Sequence, residues 1–260
     1  MAKTILITGS TDGIGLLAAK MLAEDGHRIL IHGRSEEKLA NARASINGDV
    51  EGYLADLSSL EDVAALAETI RTRQEKLDIL INNAGIFKTP KPILSNDQDV
   101  RFVVNTLAPY HLTKALLPIM PEDGRILNLS SAAQAPVNID ALKGAVKLDD
   151  MGAYAQSKLA ITIWSEALSK DLPNGPIVIA VNPGSLLASK MVREGFGVAG
   201  NDLGIGADIL CRLALDDTFA DKSGQYWDND SGRFSKPHQA AQDPAHVSAV
   251  MAAIQEMTGL

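Results

Sequence analysis

Short β-branched or aliphatic runs recur along this chain at residues 4–8, 28–32, 50–54, 77–81, 125–129, 177–181 and 225–227, and most of the intervals between them carry apolar residues at helical spacing. Leu16, Leu17, Met21 and Leu22 mark the first helical interval, and Leu60, Val63, Ala64, Leu66 and Ile70 the third. Strands that alternate with helices imply a parallel sheet covered on both faces. The runs agree, because Ile5-Leu6-Ile7 and Ile79-Leu80-Ile81 have no polar side and therefore suit burial from both directions. The expected fold class is α/β: a doubly wound, mostly parallel, seven-stranded sheet in three layers. Ser35 is placed to cap the second helix, and Ser58 with Glu61 to form a capping box for the third.

No linker, repeat or shift in composition divides the 260 residues, so a single domain over 1–260 is expected. Residues 87–96, 134–150, 185–201 and the tail after Asp228 read as less regular, and a substrate lid is expected over 185–203. The formal net charge of -8 argues against a broad basic surface for nucleic acid. No stretch reaches the roughly 18 apolar residues of a membrane span, and the first residues lack the pattern of a signal peptide. A cytoplasmic location is the resulting expectation. The single cysteine, Cys211, lies in an apolar pattern and reads as core, while the five histidines lack metal-ligand spacing, so no metal is expected.

The first strand runs into Thr8-Gly9-Ser10-Thr11-Asp12-Gly13-Ile14-Gly15 and then opens a helix. Glycines at 9, 13 and 15 let the backbone turn sharply and approach a pyrophosphate, while the helix start offers unpaired N–H groups and a positive dipole end. At the end of the second strand, where an acidic residue would select NAD(H), the sequence reads His32-Gly33-Arg34. Arg34 favours NADP(H) over NAD(H), although it also fits a solvated position, and Asp12 inside the turn weighs the other way.

With Asn82-Asn83-Ala84-Gly85, Tyr154-Ala155-Gln156-Ser157-Lys158 and Asn182-Pro183-Gly184 following in order, the chain resembles the classical short-chain dehydrogenase/reductase family. The resemblance implies a strand order of 3-2-1-4-5-6-7 and interconversion of a carbonyl and an alcohol by hydride transfer. It implies cofactor contacts at Gly9, Thr11, Asp12, Gly13, Ile14, Gly15, Arg34, Asp56, Leu57, Asn83, Ala84, Gly85, Tyr154, Lys158, Pro183, Gly184 and Ser189, the last standing where the family often has a threonine. It also implies a small-molecule substrate and a homodimer or homotetramer.

Tyr154 and Lys158 are four apart, on one face of a helix. Bringing a tyrosine from about 10 to about 7 requires about 4 kcal/mol, and one Lys charge at about 4 Å supplies that order at an effective dielectric of 20. The resemblance gives Ser131, rather than Ser130, the task of polarising the substrate oxygen, and gives Asn105, an amide in an apolar helix, a proton-relay role. The interval from Ser131 to Tyr154 is longer than in many members and is similar to that of retinol dehydrogenase-like members acting on lipophilic alcohols or ketones. The extra residues, about 136–150, are placed to cap the substrate side. A competing reading is an NADP(H)-binding sensor or regulator without turnover.

Overall fold

The computed structural model describes residues 1–188, 191, 193, 197 and 199–260. Among them, eight strands form one sheet of order β3-β2-β1-β4-β5-β6-β7-β8. The strands are β1 (Thr4–Ile7), β2 (Arg28–Gly33), β3 (Val50–Leu54), β4 (Ile79–Asn82), β5 (Arg125–Leu129), β6 (Ile177–Asn182), β7 (Tyr226–Asp228) and β8 (Arg233–Ser235). The first seven pair in parallel, as expected from the alternation, and β8 is antiparallel to β7.

Successive side chains of a strand point to opposite faces, so each apolar run feeds two cores. Leu6, Leu30, Leu80 and Ile126 pack on one side with helices α3 (Leu60–Arg73), α5 (Ala108–Leu116), α7 (Asp150–Asp171) and α9 (Pro244–Thr258). Ile5, Ile7, Ile29, Ile31 and Ile81 pack on the other with α1 (Gly13–Glu24), α2 (Glu36–Ala44) and α8 (Leu203–Leu215). The result is the three-layer arrangement. Cys211 is buried on α8, and burial pushes its thiol up to about 12, so it behaves as an apolar core group.

Three sequence expectations change. The tail after Asp228 is regular: Gly232, at φ +64°, turns the chain into β8, where Phe234 meets Trp227 and Phe219 edge-to-face. Asp243 then caps α9, whose Pro244 occupies the first turn. The cap of α3 is Ser59, accepting from Asp62 N–H at 3.1 Å, because Asp56 already holds Ser58 N–H in a turn of its own. Ser35 does cap α2 as expected. The extra residues around 136–150 do not arch over the cleft described below. They form α6 (Ile139–Leu142), bury Val137, Ala141 and Leu142 in the core, and meet α9 through His246 and the Lys143–Glu256 ion pair.

The helix carrying Asn105 is interrupted: α4 (Val100–Phe102) passes through a wide turn over Val103–Leu107 into α5. Its residues Val103, Val104 and Leu107 lie in this chain's own core, as do Leu159, Ile161 and Ile163 of α7. Arg101, 1% exposed, is bidentate to Asp99 and pairs with Asp150, tying the start of α4 to the first turn of α7. No helix among the described residues is long and apolar enough to cross a membrane.

Candidate active site

The cleft lies at the carboxyl ends of the strands, where an open α/β sheet binds its ligands. Its floor is the turn between β1 and α1. Gly9 has φ +63°, and a Cβ there would come within 2.8 Å of Ala84 Cα. At Gly15 it would sit 2.4 Å from Asn83 Nδ2. Gly13, at φ +58°, faces open space. Two of the glycines therefore admit the neighbouring loop, and the third keeps the cleft side bare.

That neighbouring loop braces the turn. Asn83 Nδ2 donates to the carbonyls of Thr8 and Gly9 at 2.8 and 3.0 Å, and Ala84 N–H donates to Thr8 Oγ1 at 3.1 Å. The Asn83 amide is thus committed to the protein, although Asn83, Ala84 and Gly85 line the cleft with their remaining surface. Asp12 caps α1 through Gly13 N–H alone. Among the described residues no side chain caps Ile14 or Gly15, whose first-turn N–H groups have no intrahelical partner.

Arg34 and Lys38 are exposed on the cleft wall and make no ion pair with any described residue. Asp56 and Leu57 form the facing wall, with Asp56 Oδ1 held by Ser58 N–H at 2.9 Å. These donors suit a dinucleotide: uncapped N–H groups beside a bare glycine for a pyrophosphate, and two exposed cations for a further phosphate.

At the other end of the cleft stand Tyr154, Lys158 and Pro183. Lys158, 4% exposed, donates to the carbonyl of Leu129 at 2.7 Å and lies 5.6 Å from the Tyr154 ring centre. Burial lowers its ammonium to about 8. Burial also raises the Tyr154 hydroxyl above its ordinary value, and a hydrogen bond with Ser131 opposes that rise. Phe87 packs edge-on to Tyr154 at 5.2 Å between ring centres.

The two serines differ. Ser130 is buried, with its hydroxyl joined to Lys158 O and Thr162 Oγ1 at 3.0 and 2.7 Å. Ser131 turns toward Tyr154 and accepts from Ala133 N–H at 3.1 Å, while its carbonyl is held by Tyr226 and Gln134. Asn105 sits behind the cleft. Its amide accepts from Ile86 N–H at 2.8 Å and donates to Ile86 O and Ser157 Oγ, and does not bond Lys158.

Gly184, at φ +127°, donates to Asn182 Oδ1 at 3.3 Å. The following segment leaves through Ser185, pinned by Asp230, and returns at Asn201, which pairs with Leu186 and Ala188. Met191 reaches the cleft. Ser189, and the Val192, Phe196 and Val198 expected in the lid, lie outside the described residues.

Sequence reasoning missed His32, Gly33 and Lys38. A Cβ at Gly33 would meet Thr11 Cγ2 at 2.5 Å. The spacing of Arg34 and Lys38, four apart at a helix start, was the available signal for the second cation.

The short chain dehydrogenase family model matches residues 3–196. Human "Retinol dehydrogenase 13" is 32% identical over 251 residues, covering 87% of this chain and 76% of that protein. A crystal structure of an uncharacterized protein from Mycobacterium paratuberculosis superposes with a TM-score of 0.82 at 27% identity, covering 99% of this chain and 93% of that one. The structure of the landomycin C-6 ketoreductase LanV with bound NADP and rabelomycin gives a TM-score of 0.69 at 28% identity over 87% of this chain and 94% of that one. The glycine turn, the Tyr-Lys helix and the extent of these matches together place the chain in the short-chain dehydrogenase/reductase family, as an NAD(P)-dependent oxidoreductase acting on CH–OH groups.

Proposed function

We propose that this chain is an NADP(H)-dependent reductase or dehydrogenase of a small lipophilic carbonyl or alcohol. The observation that carries the cofactor preference is the pair of cations, Arg34 and Lys38, which make no ion pair with any described residue, with no carboxylate at the end of β2. NADP in the solved LanV structure supports the same choice. The lipophilic substrate is supported by exposed Leu186 and Ile205 near Gly184, by Met191 on the wall and by Phe87 against Tyr154. The human relative is named for retinol.

A bound nicotinamide supplies or accepts the hydride. The chain's own residues do the rest. Tyr154 passes a proton to the substrate oxygen during reduction and takes it back during oxidation. Ser131, free of the contacts that hold Ser130, donates a hydrogen bond to the same oxygen as charge develops there. Lys158 keeps a positive charge beside the ring of Tyr154 below about pH 8 and so favours tyrosinate when the proton leaves. Asn105 holds the Ile86 loop against α7 close to Lys158, where it would hold a water that links the ammonium to solvent.

Ser131→Ala is expected to lower kcat by on the order of a hundredfold with little change in melting temperature. Ser130→Ala removes buried bonds to α7 and is expected to lower stability more than turnover. Steady-state rates and thermal melts of both variants check this, and a larger kcat loss at Ser130 would reverse the assignment. The cofactor choice is tested by calorimetric titration with NADPH and NADH. Tighter NADPH is expected, and equal or tighter NADH would overturn the preference.

A further inference from the structure

His32, the penultimate residue of β2, has 3% of its surface exposed and lies on the wall that joins the two halves of the cofactor cleft. Its Nδ1 accepts the N–H of Gly9 at 3.1 Å, and its Nε2 faces the carbonyl of Ala55 at 3.2 Å. A backbone N–H only donates and a carbonyl only accepts, so the pair fixes the neutral tautomer with the proton on Nε2. Gly9 is the first glycine of the phosphate turn, and Ala55 immediately precedes Asp56 and Leu57 on the opposite wall. One ring therefore spans from the end of β1 to the end of β3. The backbone nearby repeats the link: Ser10 N–H donates to His32 O, His32 N–H to Ser10 Oγ, and Ser10 Oγ–H to Ile7 O.

Resting on the dinucleotide reading of the cleft, we propose that His32 is a positioning residue for the cofactor: it holds the phosphate turn and the adenosine wall at one fixed separation. An apolar residue of similar size would fill the space but leave Gly9 N–H without its acceptor and free the turn to shift. The charged group that faces the ring is Asp56, on the segment after β3. Burial nevertheless holds the imidazole down to about 4, so Nδ1 keeps its lone pair for Gly9 across the neutral range. Protonation would place two donors face to face.

Asparagine places an acceptor near the position of Nδ1, and glutamine a donor near that of Nε2, so the two bonds can be separated. The test is NADPH titration of the full chain and its His32→Leu, His32→Asn and His32→Gln variants, with kcat and KM for NADPH measured alongside. We expect His32→Leu to raise Kd and KM for NADPH about tenfold while kcat falls less than threefold. His32→Asn should regain most of that affinity and exceed His32→Gln, which lacks an acceptor for Gly9. Affinity should fall more steeply in the unmodified chain than in His32→Asn as pH drops toward 4, beyond the loss both share as the nucleotide's 2′-phosphate takes up a proton. Unchanged NADPH affinity in His32→Leu, or His32→Asn no better than Leu and Gln, would overturn the proposal. Should His32→Leu not fold, the Asn and Gln comparison decides. Failure of the unmodified chain to bind either nicotinamide nucleotide would instead refute the reading of the cleft, and the proposal with it.

Discussion

Replacing Tyr154 by Phe is expected to reduce kcat by on the order of a thousandfold, about 4 kcal/mol of barrier, while leaving NADPH affinity within a factor of two or three. The substitution removes one hydroxyl whose hydrogen bond is to Ser131, and it keeps the ring that packs on Phe87 and faces Lys158. Fold and cleft should survive, so the loss falls on proton transfer. The pH dependence has a definite sign. Burial raises the Tyr154 hydroxyl and lowers the Lys158 ammonium to about 8. Reduction needs Tyr154 protonated, so its rate should be flat below about pH 8 and should fall above it as Lys158 loses its charge. A rate-against-pH profile checks this, and the Phe variant should lack the fall. A tyrosine variant with near-normal turnover would remove Tyr154 from the chemistry.

The second large effect concerns Arg34 and Lys38, which make no ion pair with any described residue. Arg34→Asp with Lys38→Ala is expected to weaken NADPH by on the order of a hundredfold and NADH by less than threefold, because both cations act on the extra phosphate and a carboxylate there would accept from a ribose hydroxyl instead. Raising the salt concentration should weaken NADPH in the parent chain and have a smaller effect on the variant, since exposed charges are screened. Direct titration of both nucleotides at two ionic strengths gives the answer. Parallel losses for NADPH and NADH would mean that Arg34 and Lys38 shape the wall without reading the phosphate.

Much of this arrangement is written in short stretches of sequence. The sheet is legible because strands buried on both faces must be continuously apolar, as in Ile5-Leu6-Ile7 and Ile79-Leu80-Ile81, and each such run became a strand. The site is legible because its parts sit at strand ends, where a glycine turn or a Tyr-Lys spacing has few other uses. What escaped depends on contacts distant in sequence. His32 in a β run looks like any core residue until Gly9 and Ala55 are brought to its two nitrogens. Asn83 reads as a ligand contact, and its Nδ2 also braces Thr8 and Gly9 across 75 and 74 positions. Residues 136–150 suggested a cap, but Val137 and Leu142 found α9, whose own spacing of Val247, Val250, Met251 and Ile254 was helical and went unread. The edge strand β8 is only three residues long, too short for any period to register.

The activity proposed for these residues is hydride exchange between a nicotinamide nucleotide and a carbonyl, with Tyr154 as the proton donor. The most direct measurement follows absorbance of the reduced-nicotinamide band when the chain is mixed with NADPH and a panel of lipophilic aldehydes and ketones. Carbonyl-dependent oxidation of NADPH, lost in Tyr154→Phe, is the predicted result. Tight NADPH binding with no oxidation by any carbonyl, and no reduction of NADP+ by the matching alcohols, would contradict the claim and leave a nucleotide-binding regulator in its place.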